Sequence, residues 1–177
     1  MTRVRVVRTY LELRAPSELR PARSDDPTLR LVRATSDDVA LFRRLYRDVG
    51  DAYHWRDKHA VADEDLRAHF ESPNVGLWVL HQSSTAAGFF ELRRQPDGSV
   101  EIAYFGLGRA FFGRGLGKHL LTCAAETAWE FGANRVWLHT CTLDSPAALP
   151  NYLARGFEPF KTETYETTIV HEQAMPA

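Results

Sequence analysis

The residues whose types and spacing point to chemistry begin with three glycines. Gly113, Gly115 and Gly117 alternate at the start of an apolar pattern with helical spacing, which predicts a helix with the glycines at its N-terminus. Amide N–H groups there have no partner within the helix, and glycine lets a ligand approach them without a Cβ in the way. Basic side chains flank the glycines, at Arg109, Arg114 and Lys118. The stretch therefore predicts a binding site for phosphate.

The spacing excludes two common phosphate-binding loops. A Walker P-loop has a glycine and a hydroxyl residue where this chain has Phe112 and His119. A dinucleotide-binding fingerprint counted from Gly113 fails at Lys118, and one counted from Gly106 fails as well. The phosphate-containing ligand must therefore belong to another class.

Three segments around and after the glycines form a series. The strand-like stretch Glu101–Leu107 precedes Arg-Gly-Leu-Gly-Lys at 114–118, and Arg-Val-Trp-Leu-His at 135–139 and Asn-Tyr-Leu-Ala-Arg-Gly-Phe at 151–157 follow. In this order, over about residues 29 to 160, the segments resemble the GNAT superfamily of acyl-CoA-dependent N-acetyltransferases. The pyrophosphate loop of that family, Gln/Arg-x-x-Gly-x-Gly/Ala, aligns with residues 112–117. It departs at Phe112, which removes a polar side chain but no amide.

The resemblance implies that acetyl-CoA is the acyl-donor co-substrate and that no metal takes part. In the family, the strand equivalent to 101–107 splays from the strand at 135–140, and its free backbone groups bind the pantetheine arm. Gly106 also has a structural alternative, because a glycine within a strand often marks a bulge or a turn. The residues that the resemblance assigns to acetyl-CoA are Phe105, Gly106, Leu107, Arg109, Phe112, Gly113, Arg114, Gly115, Leu116, Gly117 and Lys118.

Two side chains match catalytic positions of that family. Glu101 lies fourteen residues before Gly115, where the histone-acetylating branch has a carboxylate that acts as general base. Such a base is needed because an alkyl ammonium, with a pKa near ~10, must lose its proton before the nitrogen attacks a thioester. Tyr152 lies where many members have a tyrosine that protonates the departing thiolate. The structural alternatives are a strand carboxylate paired with Arg93 or Arg94, and a tyrosine packed in the core.

The stretch from Asp51 to Asp57 breaks the helical periodicity with aromatic and charged residues. In the architecture of the resembling family, this connection between the first two helices borders the acceptor side of the cleft. We therefore expect Tyr53, Trp55 and Asp57 to bind the substrate, because aromatic faces and carboxylates attract an ammonium group. The alternative is that the aromatic side chains only pack the loop onto the sheet.

Composition describes one globular domain. The chain has 177 residues, of which 44% are hydrophobic and 25% charged, with a net charge of −1, so nothing in it supports a nucleic-acid or membrane partner. No apolar run approaches the ~20 residues that span a bilayer, and we expect a cytoplasmic protein. Cys123 and Cys141 show neither Cys-x-x-Cys spacing nor a histidine cluster. The sequence therefore predicts no disulfide and no zinc site.

Periodicity and resemblance together predict an α/β fold with a GNAT-like mixed, mostly antiparallel sheet flanked by helices, and an extra N-terminal strand. Residues 3–13 alternate as a strand, and a connector over 14–28 leads to a strand at 29–33. We expect these to form a hairpin-like addition to the sheet edge. The chain divides accordingly into 1–28, the added strand and connector, and 29–177, the acetyltransferase domain. Helices are predicted over 39–49 and 63–70, from Gly117 and around Tyr152, and strands over 75–80, 88–92, 100–107 and 157–170.

The function that the sequence predicts is transfer of an acetyl group from acetyl-CoA to a primary amine of a small molecule, by direct attack and without a covalent enzyme intermediate. Three alternatives stay open. The chain could bind acyl-CoA as a sensor or partner-binding module without turnover, which Phe112 favours, or it could acetylate a protein or peptide amine. It could also be an interaction protein whose glycine-rich turn binds nothing. The oligomeric state is open too, with a homodimer among the alternatives.

Overall fold

The computed structural model describes residues 1–169, and within them seven strands form one sheet. The strands are β1 (Thr2–Leu13), β2 (Leu29–Ala34), β3 (Val75–Gln82), β4 (Thr85–Arg94), β5 (Val100–Leu107), β6 (Val136–Cys141) and β7 (Glu158–Ile169). Their order in the sheet is β2-β3-β4-β5-β6-β1-β7, and every neighbouring pair is antiparallel except β5 and β6. The predicted mixed, mostly antiparallel α/β fold is confirmed. Val170, the last residue of the predicted terminal strand, lies outside the described residues.

Helices cover both faces of this sheet. In residues 1–169 they are α1 (Val39–Gly50), α2 (Asp63–Glu71), α3 (Leu116–Glu130) and α4 (Ala148–Ala154). Phe89 and Phe90 are successive residues of β4, so their side chains point to opposite faces, and both are fully buried. Phe89 joins the core formed with α1 and α2, where it contacts Phe42, and Phe90 joins the core formed with α3, which includes Leu120. The sheet is therefore the middle layer of a three-layer fold.

The first helix begins where the sequence predicts it. The Thr35 hydroxyl accepts a hydrogen bond from the amide of Asp37, and the Asp38 carboxylate accepts one of 2.8 Å from the amide of Thr35. This reciprocal capping box satisfies N–H groups that a helix start leaves unpaired. It closes the short 3₁₀ turn Ser36–Asp38, which leads directly into α1.

The N-terminal strand does not form the predicted hairpin at a sheet edge. β1 lies between β6 and β7, and β2 is the opposite edge strand, so four strands separate the two. The connector at 14–28 crosses the molecule along α3 instead of turning back: the amide of Ala22 donates to the Thr122 hydroxyl (2.9 Å) and the amide of Ser24 to His119 Nδ1 (3.1 Å). The hairpin expectation was wrong because contacts far apart in sequence, such as Leu11 with Leu138, pair β1 with β6.

The feature that makes room for a site is the short ladder between the two parallel strands. β5 and β6 pair only at Val100 with Val136 and at Glu101 with Trp137. Beyond these pairs the strands diverge, and a register shift against β4 adds one residue, Ala103, to β5 at the start of the divergence. Among residues 1–169, the edge of β5 that faces β6 therefore has no ladder partner beyond Glu101.

A two-stranded extension of the sheet stands beside this gap. β1 pairs with β6 only from Arg8 onward, but it pairs with β7 from Thr2. Residues 2–7 and 164–169 therefore project past the end of β6 as a two-stranded ribbon, which we call the β1–β7 ribbon. The Thr142 hydroxyl and the amide of Val7 hold its base to the loop after β6, at 3.2 Å.

We predict that Gly156→Ala lowers the free energy of unfolding far more than Gly132→Ala. Both glycines have positive φ, +97° and +94°, so each alanine incurs a backbone strain of about 1–2 kcal/mol. A Cβ at Gly156 would also collide with the backbone carbonyl of Glu18 in the connector, whereas at Gly132 it would meet only the flexible Arg94 side chain at 3.3 Å. Urea unfolding should show an additional loss of about 1–3 kcal/mol for Gly156→Ala. Equal losses for the two variants would contradict this packing.

Candidate functional site

A cavity of about 940 Å³ lies where β5 and β6 diverge. It brings together most of the residues that the sequence singles out, although they come from distant parts of the chain. Its walls are β5, the first turn of α3, the loop after β6, α4, the loop at 53–57 and the β1–β7 ribbon. The predicted site residues that line it are Glu101, Phe105, Gly106, Leu107, Phe112, Gly113, Gly115, Leu116, Gly117, Tyr152, Tyr53, Trp55 and Asp57.

The start of α3 presents free amides to this cavity. Gly113 and Gly115 have positive φ values of +76° and +71°, and α3 begins directly after Gly115, as the glycine pattern predicts. In the described part of the chain, the amides of residues 113–115 donate to no protein acceptor. No heavy atom lies within 4 Å of the place that a Cβ on Gly113 would occupy. Open space, free N–H groups and the positive end of the helix dipole suit an anionic group.

The three basic side chains near the loop do not line the cavity but lie around its phosphate-binding end. The Arg114 guanidinium donates to Gln82 Oε1 at 2.9 Å and lies 5.4 Å from the centre of the Phe111 ring. Lys118 folds back over Gly115, since its Nζ would be 3.9 Å from a Cβ there. Arg109 is exposed. Positive charge thus surrounds the free amides at the surface.

Gly106 has a packing role that the sequence does not indicate. A Cβ at this position would collide with Val49 Cγ1 of α1. The register shift between β4 and β5 is at Ala103, so Gly106 is not the bulge of this strand. Glycine at 106 lets α1 lie directly against β5 beside the gap.

Glu101 lines the cavity from the last position at which β5 pairs with β6. Its cross-strand neighbour is Arg93, as one structural alternative supposed, and Gln95 Nε2 donates a long 3.4 Å hydrogen bond to Oε2. Burial raises the pKa of Glu101 above its usual value, Arg93 opposes this rise, and the nearby carboxylate of Glu91 adds to it. A carboxyl group with a raised pKa holds a proton more strongly and is therefore a better base when ionised.

A buried ion pair lies under Glu101. The Glu91 side chain is fully buried, and its two oxygens contact Arg93 Nε at 2.5 Å and His69 Nε2 of α2 at 3.0 Å. Because Glu91 neutralises Arg93, the guanidinium beside Glu101 forms no ion pair with it. Within residues 1–169, Glu101 therefore has no ion-pair partner, and it lines the cavity.

Tyr152 of α4 is 7% exposed and lines the cavity. Its ring contacts Phe105 and Phe157, with centroids 6.1 and 6.3 Å away. Within residues 1–169 its hydroxyl has no hydrogen-bond partner, which is unusual for a tyrosine that serves only the core. Burial, and then the negative charge of Asp144, raise its pKa above the usual value and keep the phenol protonated.

The loop at 51–57 forms one wall, and its residues differ in their contacts. Trp55 packs on Tyr46 and Tyr104, and a Cβ at Gly50 would collide with its ring, so much of Trp55 serves to hold the loop against α1. The Tyr104 hydroxyl donates to Asp57 Oδ2 at 2.7 Å. Burial and then Asp57 raise the pKa of Tyr46 to about 12. Tyr53 and Asp57 line the cavity together with Trp55, as predicted.

Two polar residues in the cavity wall escaped the sequence analysis. Asn151 Nδ2 donates to the carbonyl of Gly117 at 3.1 Å and ties α4 to the first turn of α3. Its place directly before Tyr152 was the only signal for it. Arg8 of β1 also lines the cavity, and no local pattern could have found it because β1 was expected at a different edge.

Metal binding and reactive cysteine have little support in the described part of the chain. Within residues 1–169, no three His, Cys, Asp or Glu side chains meet at one place that would hold a metal ion. Cys141 lines the cavity, but burial and then Asp144 raise its pKa, which disfavours the thiolate. Of the helices in this range, none has the length and apolar character needed to cross a membrane.

Comparisons with known proteins give a consistent picture. The sequence model of the acetyltransferase (GNAT) family matches residues 42–157. A GCN5-related N-acetyltransferase from Kribbella flavida is 20% identical over 90% of this chain, with a TM-score of 0.66, and one from Sphaerobacter thermophilus is 16% identical over 94%, with a TM-score of 0.69. An aminoglycoside acetyltransferase from an uncultured soil metagenomic sample, solved in complex with trehalose, is 19% identical over 87%, with a TM-score of 0.63.

The lengths of these proteins differ. This chain spans 56% and 52% of the first two structures but 100% of the third. At such low identities the likeness is one of fold, and it includes the GNAT-like arrangement of sheet and helices. A search of curated proteins found no match.

We predict that Glu91→Gln destabilises the protein by about 3 kcal/mol, since it leaves the Arg93 charge without its partner in a largely buried place. This value is at the low end for a buried pair because the Arg93 side chain is 30% exposed. Urea unfolding measures the loss. The matched control is Glu166→Gln, which breaks a surface pair with Arg3 and should leave the free energy of unfolding nearly unchanged. A small loss for Glu91→Gln would show that the buried pair contributes little.

Proposed function

Because the chain belongs to the GNAT family of acetyltransferases, we propose that it transfers an acetyl group from acetyl-CoA to a primary amine of a small molecule. One observation carries the proposal. A single cavity connects the free amides of α3 with Glu101 and Tyr152 through the gap between β5 and β6. An anion site, an unpaired strand edge, a base and an acid are the parts that this reaction requires.

Acetyl-CoA fits this cavity in one direction. Its diphosphate binds the amides of residues 113–117, with Lys118 and Arg114 nearby, because helix N-termini favour anions. The pantetheine arm then runs between β5 and β6, where its amides pair with the free edge of β5 at 105–107. Phe112 is 48% exposed and supplies an apolar surface instead of the polar side chain common in the family. The amides that bind phosphate are unaffected by this difference.

The chemistry proceeds by direct attack of the amine on the thioester. Glu101 accepts the amine proton, directly or through water, while the nitrogen forms a bond to the carbonyl carbon. A backbone N–H of β5 near Leu107 stabilises the oxyanion, a contact worth about 10²–10³ in rate in other enzymes. The carbon–sulfur bond then breaks, and Tyr152 donates its proton to the departing thiolate. No covalent enzyme intermediate is needed.

The acceptor side of the cavity favours a small molecule. The loop at 53–57 stands on one side and the β1–β7 ribbon on the other, which leaves a cleft between two walls. Tyr53 and Asp57 lie in the loop wall and attract an ammonium group, and Trp55 holds the loop in place. The soil-metagenome protein of similar fold, named as an aminoglycoside acetyltransferase, is consistent with an amine acceptor of this size class.

We predict that Tyr152→Phe and Glu101→Gln each lower kcat about 10²-fold while the Kd for acetyl-CoA stays near that of the unaltered protein. Release of CoA thiol over a panel of amines measures transfer. For the unaltered protein the rate rises with pH through the raised pKa of Glu101, because only the ionised carboxylate accepts a proton. In Glu101→Gln that limb disappears, and the remaining rate climbs steeply at alkaline pH as free amine accumulates.

The matched control is Glu158→Gln, which removes an exposed carboxylate that pairs with Arg14 outside the cavity. It should leave kcat unchanged. Equal rates for all four proteins from about pH 6 to about pH 9 would contradict the assignments of acid and base. Binding of acetyl-CoA without thiol release for any amine would favour the acyl-CoA sensor instead, and release only with peptides would favour a protein acceptor.

A further inference from the structure

The proposed reaction gives no role to the β1–β7 ribbon, although it forms a wall of the same cavity. Arg8, Tyr165, Thr167 and Ile169 line the cavity from this side. The Arg8 Nη2 group donates to the Tyr165 hydroxyl at 3.2 Å, and the guanidinium carbon lies 4.9 Å from the centre of the Tyr165 ring. Tyr165 thereby holds Arg8 in one position at the cavity surface.

Arg8 has no carboxylate partner within the part of the chain that the structure describes. Its cross-strand neighbour is Glu163, but that carboxylate contacts Lys161 Nζ at 2.5 Å and accepts a hydrogen bond from Tyr10 at 2.9 Å. The Arg8 Nε atom is buried and lacks a hydrogen-bond partner in residues 1–169. An arginine at a cavity wall without a carboxylate partner among the described residues indicates a place for an anionic group.

The opposite side of the cavity has the opposite charge. Asp57 lies in the loop wall and Glu101 near the start of β5, and neither has an ion-pair partner among the described residues. Two further arginines line the cavity: Arg93 is matched by Glu91 at 2.5 Å, and Arg56 lies in the loop wall next to Asp57. The cavity therefore offers a cation site and an anion site to one molecule.

The sheet register sets how far apart these two sites are. Glu101 pairs with Trp137 of β6, which pairs with Glu12 of β1. Arg8 lies four residues from Glu12 along β1, a distance of roughly 13 Å at ~3.3 Å per residue. Two strand spacings of ~4.8 Å, at right angles to the strands, separate β5 from β1, so the backbones of Glu101 and Arg8 are roughly 16 Å apart. An acceptor with several bonds between amine and carboxylate spans more of this distance than an α-amino acid, whose two groups share one carbon. A chain of several bonds between amine and carboxylate fits.

We propose that the acceptor is an amino acid whose reacting amine terminates a long chain, with its carboxylate bound by Arg8 and its amine beside Glu101. This inference rests on the proposed acetyl transfer and narrows its substrate class to diamino acids and ω-amino acids. Arginine binds carboxylates through two parallel N–H donors, and Tyr165 holds the Arg8 guanidinium at the cavity wall.

The test compares acceptors that have or lack the carboxylate and that differ in chain length. Lysine, 6-aminohexanoate, cadaverine and glycine are assayed by CoA thiol release with the unaltered protein, Arg8→Gln, Arg8→Lys and the matched control Arg5→Gln, an exposed arginine of the same strand outside the cavity. We expect kcat/KM for lysine and 6-aminohexanoate to exceed that for cadaverine by about 10–100-fold, with glycine poorest. In Arg8→Gln the preference for lysine and 6-aminohexanoate over cadaverine should disappear, because KM for the two carboxylate-bearing acceptors rises. Arg8→Lys should keep part of this preference, and Arg5→Gln should keep all of it.

The outcomes separate this inference from the proposed function. Transfer to cadaverine as efficient as to lysine, or a ratio unchanged in Arg8→Gln, overturns the carboxylate site and leaves acetyl transfer intact. An aminoalkyl phosphate preferred over 6-aminohexanoate overturns the carboxylate in favour of phosphate. No thiol release with any amine overturns both proposals. Melting temperatures report whether the variants are folded, and calorimetric titration of 6-aminohexanoate in saturating CoA gives a second readout, with about 10-fold weaker binding expected for Arg8→Gln.

Discussion

The parallel strands β5 and β6 pair at two residues and then diverge, and the rest of the structure depends on this divergence. Two parallel strands that stayed paired would leave no cavity and no free backbone edge. Because they diverge, α3 begins at the head of the gap, and its glycine-rich first turn directs free amides into it. The hydrophobic cores on both faces keep the gap open, since α1 packs directly against β5 at Gly106.

Charge is arranged around this gap in a way that follows from which groups are paired. Glu91 neutralises Arg93 in the core, so Glu101 reaches the cavity without an ion-pair partner. Lys161 forms an ion pair with Glu163, and Tyr10 donates a hydrogen bond to it. Arg8, on the other side of the cavity, therefore also has no carboxylate partner among the described residues. These ion pairs thus decide which ionised side chains are available to a substrate. The proposed base and the proposed carboxylate-binding residue both result from this pairing.

Sequence reasoning succeeded where the signal is local. The start of α3 at the glycines, the position of α1 and the strands β3, β4 and β5 all follow from the spacing of residues, and the GNAT-like fold is confirmed. It failed for β1, whose place between β6 and β7 depends on pairing with residues more than a hundred positions away. The ribbon wall and Arg8 were missed for the same reason. The roles of Glu101 and Tyr152 stay predictions, although both side chains line the cavity.

Calorimetric titration with acetyl-CoA tests most directly the claim that the α3 amides and the gap together hold this molecule. The unaltered protein is compared with Gly113→Asp and its uncharged match Gly113→Asn. Both side chains tolerate positive φ and have open space, so the fold is kept while aspartate places a negative charge among the amides. The account predicts a Kd between about 1 μM and about 1 mM, weakened at least tenfold by Gly113→Asp and much less by Gly113→Asn. The absence of binding by the unaltered protein at about 1 mM, or equal affinities for the two variants, would contradict it.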